Sequence, residues 1–317
     1  IITTENDILV CARNGSQRLI GKNAIIKKED ANNTFGAFMM VYRSNENSFI
    51  RPLLSTKRYF SQVGENLGAR INQITTSDFN GFEFYFPDNH IERTKIAKLF
   101  RLIDERIVSQ NKIIEKYESL IKGLNNILLY GTGGKSVCLG DILLERSERS
   151  RTNNQHEVLS STVKGIFSQR EYFSKDIASE NNVGYKIIRL HDVVLSPQNL
   201  WMGNINYNDR FEIGIVSPSY KVFSIADGYD NQFVAAMLKT HRALYSYMMV
   251  SEQGASIVRR NLNMEAFSQL VFKIPSLDKQ REIGCAISLL KSQLKTANKL
   301  IRAYTSQKQY LLRQMFI

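Results

Sequence analysis

Two stretches of this chain resemble each other, and this internal repeat limits the possible folds more than any other feature of the sequence. Residues 82–107 and 270–294 each start with a β-rich apolar run, reach a proline, and continue as a long helical pattern. Past the proline the two helical patterns align at a constant offset of 187 residues, so that Ile96 matches Ile283. Weaker similarity extends upstream, between 68–79 and 254–267 and between 6–15 and 191–200. Two copies at so long a period exclude a solenoid, which stacks many short repeats.

The repeat predicts four parts along the chain: a partial globular segment, a long helix, a complete globular segment and a second long helix. We place these parts at residues 1–87, 88–130, 131–275 and 276–317. Residues 131–185 of the second globular segment have no counterpart before Ile1. The first segment is therefore expected to lack about 55 residues at its N-terminus, which predicts a complete chain of about 370 residues.

Both globular segments mix β-rich and helical patterns, which predicts an α+β fold. In the second segment, residues 136–145 form a β-rich apolar run and residues 230–250 show helical spacing. The first segment has the same parts in shortened form, with a strand expected within 35–43 and a helix near 49–63.

The two long helical patterns have the heptad seam of a coiled coil, because their apolar positions recur in alternating steps of four and three. A helix of about 40 residues is about 60 Å long, which exceeds the width of a small domain. We expect the two helices to pack together, more naturally antiparallel than parallel, and to serve as a spacer and docking surface without chemistry. Gln110, Ala297 and Lys308 weaken the seam. The seam positions are Ile96, Phe100, Ile103, Ile107, Ile114 and Tyr117, and in the second helix Ile283, Ile287, Leu290, Leu294, Ile301 and Tyr304.

The charge of the chain indicates a polyanionic partner. Its formal net charge is +12, which favours nucleic acid first and an anionic membrane surface second. No apolar run is long enough to span a membrane. The cysteines, three in number and far apart, favour neither a disulfide framework nor a metal cluster, and therefore indicate a reducing compartment. No catalytic motif or metal-ligand spacing of histidines is present, which predicts that the chain is not an enzyme.

Polar and basic side chains occur in loops at matched places in both globular segments, and these residue types suit contact with DNA. Arginine is the usual reader of guanine, and asparagine and glutamine bind adenine edges. The candidate DNA-binding residues of the first segment are Arg13, Asn14, Gln17, Arg18, Arg70 and Asn72. Those of the second segment are Arg146, Arg149, Arg151, Lys164, Gln198, Asn199, Trp201, Arg259, Arg260 and Asn261.

Together these features resemble the specificity subunit of a type I restriction-modification system, over essentially the whole chain. The half-repeat is the most specific feature, followed by the apolar runs that end in Pro87 and Pro275 before the long helices. Shorter motifs that carry the resemblance are Gln280-Arg281-Glu282-Ile283, Gly140-Asp141-Ile142 and Gly-Ile-Val-Ser-Pro-Ser-Tyr at 214–220.

The resemblance implies two α/β target-recognition domains, the first N-terminally incomplete, separated by two long helices that form an antiparallel coiled coil. Each domain of such a subunit reads one half of a split target on double-stranded DNA. The helices set the spacing and dock methyltransferase subunits, which associate with restriction subunits. The resemblance places S-adenosylmethionine on the methyltransferase partner, ATP and Mg²⁺ on the restriction partner, and no cofactor on this chain. It also implies a role in host defence and a location in the prokaryotic cytoplasm.

Two other functions remain open from the residues alone. The chain could be the recognition half of a fused restriction-methylation enzyme, which predicts catalytic motifs upstream of Ile1. Alternatively it could be a coiled-coil scaffold protein that holds other proteins together and has no DNA sequence preference. The recurrence of polar loops at matched places argues against the scaffold alone.

Overall fold

The computed structural model describes residues 1–67, 72–130, 133–172, 181–253 and 260–316. The chain forms two compact units: unit 1 comprises Ile1–Glu115 and Lys295–Ile317, and unit 2 comprises Lys116–Leu294. Each unit contains a globular part and a stretch of both long helices. The four boundaries expected from the sequence stay a prediction, because the division into units runs through the helices.

Unit 1 begins with a three-stranded antiparallel sheet in the order β2-β1-β3. Its strands are β1 (Ile8–Cys11), β2 (Asn23–Ile25) and β3 (Met39–Tyr42). Its helices are α1 (Asn47–Leu53), α2 (Lys57–Leu67), α3 (Thr76–Asn80) and the first part of α4 (His90–Tyr130). The alternation of β1 buries Ile8 and Val10 against Tyr59 and Val63 of α2. The Tyr59 hydroxyl donates to the Gly21 carbonyl at 2.8 Å, so this buried polar group is satisfied.

Unit 2 contains a four-stranded antiparallel sheet in the order β10-β9-β12-β5, together with several two-stranded pairs. Its first elements are β4 (Lys135–Cys138), α5 (Leu139–Ile142), β5 (Leu143–Arg146), β6 (Leu159–Thr162), β7 (Gly165–Ser168), α6 (Gln169–Tyr172) and β8 (Lys186–Arg189). Next come β9 (Val193–Leu195), β10 (Ile205–Tyr207), β11 (Ile213–Val216) and β12 (Lys221–Ile225). The last are α7 (Asn231–Met237), α8 (His241–Met249), β13 (Ser251–Gln253), β14 (Arg260–Leu262), α9 (Met264–Ser268), β15 (Val271–Ile274) and α10 (Leu277–Met315).

The sheets of the two units repeat the same arrangement. In unit 1 the central strand β1 pairs with β2 and β3, and in unit 2 the central strand β9 pairs with β10 and β12. A tight turn precedes the central strand in both, with a positive φ of 68° at Asn6 and 75° at His191. The next residue is an aspartate that accepts a backbone N–H three residues back, at 2.7 Å in both Asp7 and Asp192. Side-chain acceptors of this kind fix turn geometry locally.

The packing behind the sheet is repeated as well. Tyr42 at the end of β3 contacts Phe79 of α3, with ring centroids 5.8 Å apart. The matching pair in unit 2 is Phe223 of β12 and Phe267 of α9, at 6.4 Å. This correspondence extends the similarity seen in the sequence to the positions of core side chains.

The sequence predicts one helix near 49–63 and one within 230–250, and this is wrong in one respect: each range contains two helices. A threonine stands at each break. The hydroxyl of Thr56 donates to the Leu53 carbonyl and accepts the Tyr59 N–H, and Thr240 makes the equivalent bonds. Such a side chain satisfies backbone groups at the end of one helix and the start of the next, and so stabilises the break.

Two predicted β-rich runs also differ from the structure. Residues 136–145 are not one strand but a strand, a helical turn and a second strand, because β4 and β5 pair with different partners. Residues 82–86 belong to no strand, whereas the matching residues of unit 2 form β15. The partner strand β4 accounts for this difference, since a strand exists only by pairing with another.

The long helices form the predicted coiled coil. Every seam position that was predicted is buried or partly buried, and so are Gln110, Ala297 and Lys308. Within unit 1 the two helices run antiparallel. Phe100 of α4 contacts Phe316, just past the end of α10. Gln110, which lies later in α4, contacts Ala297, which lies earlier in the chain than Phe316.

The weak positions of the seam are each compensated by a polar contact. Gln110 is buried, and its side-chain amide donates to the Ala297 carbonyl at 3.2 Å. Asp104 forms ion pairs with Lys308 and with Arg51 of α1. A satisfied polar group inside a seam costs less than an unpaired one and fixes the register of the two helices.

Each long helix is also bound at its start to the globular part of its unit. Arg93 donates to the Pro87 carbonyl and to Glu46, the residue before α1. In unit 2 the matching Gln280 donates to the Pro275 carbonyl, and its side-chain oxygen accepts the N–H of Asp230, the residue before α7. These contacts fix the direction in which each helix leaves its globular part.

Candidate nucleic-acid interface

The structure brings together two of the predicted loops in unit 1. The loop that follows β1 carries Arg13 and Asn14, and it lies beside the segment that contains Asn72. Arg13 forms a backbone bridge with Gln73, and the Asn14 N–H donates to the Asn72 carbonyl at 3.3 Å. The Asn72 side chain donates in turn to the Gly15 carbonyl at 3.1 Å. Asn72 has a φ of 53°, a conformation that asparagine tolerates better than most residues.

Arg13 is exposed, and its guanidinium lies over the ring of Phe38, 5.4 Å from the centroid. Phe38 precedes β3 and is 57% exposed. Sequence reasoning did not select Phe38, because nothing in a single aromatic residue distinguishes an exposed ring from a core ring. A stacked guanidinium is held in place while its outer edge stays available for hydrogen bonds.

Unit 2 repeats this arrangement with different residues. The loop that follows β9 carries Gln198 and Trp201, and the Arg260 N–H donates to the Gln198 carbonyl at 3.2 Å. The Arg260 guanidinium lies over the Trp201 ring, 5.0 Å from the centroid. Its Nε is buried and has no hydrogen-bond partner among the described residues. The next residue, Asn261, is exposed.

Both units therefore present one arginine stacked on one aromatic ring, next to amide side chains, beside the loop that follows the central strand. The positions are not equivalent: in unit 1 the arginine lies in that loop and Phe38 precedes β3, whereas in unit 2 Trp201 lies in that loop and Arg260 begins β14. Arginine, asparagine and glutamine are the side chains that read base edges in the major groove, and guanidinium groups also bind phosphate. No charge partner neutralises Arg13 or Arg260 in the described structure. The arrangement suits contact with DNA.

Other predicted DNA-binding residues lie elsewhere. The Arg146 guanidinium forms ion pairs with Asp192 and Glu148, and Arg149 donates to the Gly184 carbonyl at 2.9 Å. These contacts engage both arginines within unit 2. Arg151 is exposed in the loop after β5, and Lys164 is exposed at the turn between β6 and β7.

The remaining predicted positions fall into two groups. Gln17 and Arg18 are exposed in a short 3₁₀ turn after β1, and Asn199 begins a similar turn after β9. Arg70 and Arg259 lie outside the described residues. All of these assignments to DNA contact remain predictions.

The electrostatics beneath the two loops differ. In unit 1 Asp7 is buried and accepts two hydrogen bonds from Arg43, at 2.8 and 2.7 Å. These bonds lower the pKa of Asp7 to about 2. In unit 2 the matching Asp192 is also buried, and desolvation raises its pKa although Arg146 lies beside it.

The long helices carry a second row of apolar side chains, which is exposed. In unit 1 each member of this row stands immediately before a seam position, and none belongs to the seam. These residues are Leu99, Leu102 and Ile113 on α4 and Leu300 and Tyr310 on α10. The repeat offset maps Ile113 onto Leu300, so the exposed row recurs in both helices. Apolar side chains at heptad spacing are suited to contact a protein partner.

The described part of the chain contains no group of three or more histidine, cysteine, aspartate or glutamate side chains that could hold a metal ion. None of its helices combines the length and apolarity that crossing a membrane requires.

No protein-family model and no curated protein sequence matches the chain. Solved structures do match it. The crystal structure of the type I restriction-modification system S subunit from M. genitalium aligns with 99% of this chain and 84% of that chain, with a TM-score of 0.64 and 17% identity. A structure described as the basis of complex assembly and conformational transition of the type I R-M system aligns with 99% of this chain and 82% of that one, with a TM-score of 0.52 and 13% identity. The chain therefore has the fold of the family that its sequence resembles.

Proposed function

We propose that this chain is the non-catalytic DNA-specificity subunit of a type I restriction-modification system and reads a bipartite target on double-stranded DNA. One observation carries the proposal. Both units present a stacked arginine and amide side chains beside the loop that follows the central strand, although the arginine and the ring come from different positions in the two units. A single loop of this kind is ordinary surface, but its recurrence in two copies of one fold predicts two readers. The fold shared with the S subunit from M. genitalium agrees with this assignment.

The electrostatics of the chain support DNA as the partner. A net charge of +12 supplies salt-sensitive attraction to phosphates without sequence preference. Sequence preference is then added by the few side chains that reach base edges. Arg13 with Asn14 and Asn72 would read one half-site, and Arg260 with Asn261 and Gln198 the other.

The coiled coil provides the spacing between the two readers and the scaffold for partners. In this proposal the long helices set the spacing between the half-sites, as half-site spacing is set in dimeric DNA-binding proteins. The exposed apolar row, which includes Leu102 and Ile113, is the proposed docking surface for methyltransferase subunits. Restriction subunits would join through that complex, in the prokaryotic cytoplasm. S-adenosylmethionine, ATP and Mg²⁺ belong to these partners.

The direct experiment is to co-express the chain with the methyltransferase subunit encoded beside it and to map methylated sites across a genome. We expect methylation at a motif of two short halves separated by a fixed gap. Methylation at a motif without a gap contradicts the two-reader proposal. Binding without sequence preference would indicate a coiled-coil scaffold, and methylation by the chain without any partner would indicate a fused enzyme.

The docking surface is tested separately. We expect Leu102→Asp together with Ile113→Asp to abolish co-purification of the methyltransferase subunit, because a charge on an apolar contact surface is costly to bury. Asn111→Asp, on the same helix and also exposed, adds a negative charge outside the apolar row and should leave co-purification unchanged. Equal effects of the two variants would argue against this surface.

A further inference from the structure

Each unit contains a cavity where one of its short helices begins, α2 in unit 1 and α8 in unit 2. The cavity of unit 1 has a volume of about 490 Å³, and that of unit 2 about 270 Å³. The opposite wall is the last part of a long helix, α10 in unit 1 and α4 in unit 2. At the repeat offset of 187, the wall residues Gln309 and Leu312 correspond to Lys122 and Asn125. The cavity is therefore a repeated feature of the fold.

The cavity arises from the packing of a short helix against a long one. In unit 2 it is present although the chain continues past α4 into β4, and no residue of 133–172 lines it. The two cavities thus have the same structural origin, and they can be compared residue by residue.

In unit 1 the cavity is lined by three cations, Lys57, Arg58 and Arg313, and by no aspartate or glutamate among the described residues. Lys57 and Arg313 are exposed, and neither side chain makes a hydrogen bond or an ion pair in the described structure. The Arg58 guanidinium lies over the ring of Tyr85 and donates to the Glu83 carbonyl at 2.9 Å, so no carboxylate neutralises it. Three like charges at one cavity repel each other, and a bound anion relieves that repulsion.

In unit 2 the cavity is lined by Lys122, Lys239 and His241, and also by Glu118. The Lys239 amine donates to two backbone carbonyls, at 3.2 and 3.1 Å, and its burial lowers its pKa to about 8. Glu118 adds a negative charge that the cavity of unit 1 lacks. The cavity of unit 2 is therefore a weaker anion site than that of unit 1.

The first turn of the short helix is basic in both units. α2 begins with Lys57 and Arg58, α8 begins with His241 and Arg242, and neither first turn contains an acidic residue. The start of a helix carries partial positive charge, so acidic residues are favoured there and basic residues are not. An anion bound at the helix start reverses this unfavourable arrangement, because it interacts with both the helix and the side chains. The same local rule is broken at the same place in both copies, as is typical of functional sites.

The short helix also leads from the cavity to the proposed reader of its unit. α2 begins at the cavity and ends at Leu67, and the proposed reading residue Asn72 follows. α8 begins at the cavity and is followed by β13, which pairs with the strand that contains Arg260. A helix of 11 residues, as α2 is, is about 16 Å long. That length corresponds to about five nucleotides of one strand of duplex DNA.

We propose that each cavity binds a phosphate of the DNA backbone beside the half-site that its unit reads, and that the site of unit 1 binds it more strongly. This inference rests on the proposed function, because it takes DNA as the source of the phosphate. In unit 1 the phosphate is held by Lys57, Arg313 and the start of α2, and in unit 2 by Lys122 and the start of α8. Contacts of this kind position a reader on the duplex without reading sequence.

The test is ethylation interference, which identifies the phosphates that a protein needs. It is applied to the complex of the full chain with the methyltransferase subunit on the mapped target. Lys57→Gln with Arg313→Gln should remove one interfering phosphate beside the half-site that Arg13→Ala affects. The same double variant should weaken binding about tenfold on every sequence and reduce the slope of log affinity against log salt by about 0.9. Lys28→Gln with Arg302→Gln removes the same two charges from unit 1 outside the cavity and should leave the footprint unchanged.

Two further variants measure the other cavity and the role of the helix start. Lys122→Gln with His241→Gln should remove a phosphate beside the other half-site, with a smaller loss of affinity than in unit 1. Lys57→Glu should weaken DNA binding more than Lys57→Gln does, yet raise the Tm of the chain without DNA, because an acidic residue suits the start of α2. A lysine with only a structural role would not combine a higher Tm with weaker binding.

An unchanged footprint and salt slope in the Lys57→Gln, Arg313→Gln variant would overturn the phosphate site, and an intact gapped motif would then leave the proposed function standing. Loss of co-purification with the methyltransferase subunit would also overturn it, by showing that the cavity holds an acidic side chain of that partner. Absence of a gapped motif from the unmodified complex would instead count against the proposed function. The salt slope on an arbitrary duplex tests the cavity in that case as well.

Discussion

Unit 1 and unit 2 contain matching strands with different neighbours. In unit 2, β12 is flanked on both sides, by β9 and β5, and β15 is paired with β4. In the described part of unit 1, β3 is flanked on one side by β1, and residues 82–86 belong to no strand. Nearly the same alternation of apolar side chains thus gives a strand in one unit and an unpaired segment in the other. The comparison shows that a β pattern determines which side chains face the core, whereas the strand itself depends on a partner.

The buried aspartates offer a second comparison. Asp7 and Asp192 occupy the same turn and accept the same backbone hydrogen bond, yet their pKa values shift in opposite directions. Arg43 follows β3 and binds Asp7 with two hydrogen bonds, whereas Arg146 ends β5 and shares its charge between Asp192 and Glu148. The local motif is conserved between the copies, and its electrostatics depend on which strand supplies the cation.

The largest expected effect on stability comes from truncation of a core side chain. Phe267→Ala should lower the free energy of unfolding of unit 2 by about 3–5 kcal/mol, because its site is enclosed. Phe79→Ala should cost unit 1 about 1 kcal/mol less, because Phe79 is more exposed than Phe267, at 9% against 2%, and lines an open cavity of about 690 Å³. Urea unfolding monitored by Trp201, the single tryptophan, reports unit 2, and hydrogen exchange of the β1 amides reports unit 1. Equal losses would show that this cavity does not weaken the core of unit 1.

Acid should affect the stability of the two units differently, because the pKa values of Asp7 and Asp192 shift in opposite directions. The folded-state pKa of Asp7, about 2, is below its ordinary value of 3.8, so its pair with Arg43 contributes stability that is fully present above about pH 4. That contribution is lost as the pH falls from about 4 to about 2. Asp192 has a raised pKa, so its protonation on acidification favours the folded state. Hydrogen exchange of the β1 amides, measured against pH, should show that unit 1 loses stability in acid. Asp7→Asn should remove most of this pH dependence, and Asp192→Asn should leave it unchanged.

The two proposed readers should be separable by mutation. Arg260→Ala or Asn261→Ala should weaken or relax recognition of one half-site only, at a cost of about 1–3 kcal/mol for each lost base contact. Arg13→Ala should do the same for the other half-site. Methylation mapping with each variant measures the effect. A similar loss at both half-sites from any single variant would contradict the assignment of one reader to each unit.

The smallest expected difference concerns the caps of the matching helices α3 and α9. Thr75 and Asp78 form a reciprocal capping box at α3, whereas Asn263 caps α9 through one bond to the Ala266 N–H, at 3.0 Å. Thr75→Ala should therefore cost about 1–2 kcal/mol and Asn263→Ala about 1 kcal/mol. Chemical denaturation with the same two reporters checks the order. The reverse order would mean that the second bond of the box adds no stability.

The coiled coil is the part of the fold that was most predictable. Its period of alternating four and three is a property of neighbouring residues, and each predicted seam residue is buried or partly buried. The antiparallel direction is confirmed within unit 1 by the contact of Gln110 with Ala297. The breaks at Thr56 and Thr240 were missed, because helical spacing of apolar residues continues across them while a side-chain cap ends the helix.

The candidate interface was predictable in part. Residue type and recurrence selected the loops of Arg13, Asn72, Gln198 and Arg260, and the structure brings these loops together in pairs. Phe38 was not selected, and the ion pairs of Arg146 were not foreseen. Both depend on contacts between residues that are distant in the chain, for which a single sequence carries no periodic signal.

The sequence by itself determined the repeat, the seam, the charge and the residue types in the loops, because these follow from composition and short-range spacing. Only the tertiary structure decided which edges are paired, which cation meets each buried aspartate, and which ring lies beneath each arginine. Those features arise when distant segments pack, and the free energy of a strand pair or an ion pair depends on the partner and on its exclusion from water. For that reason two copies of one pattern form a paired strand in unit 2 and a segment that belongs to no strand in unit 1.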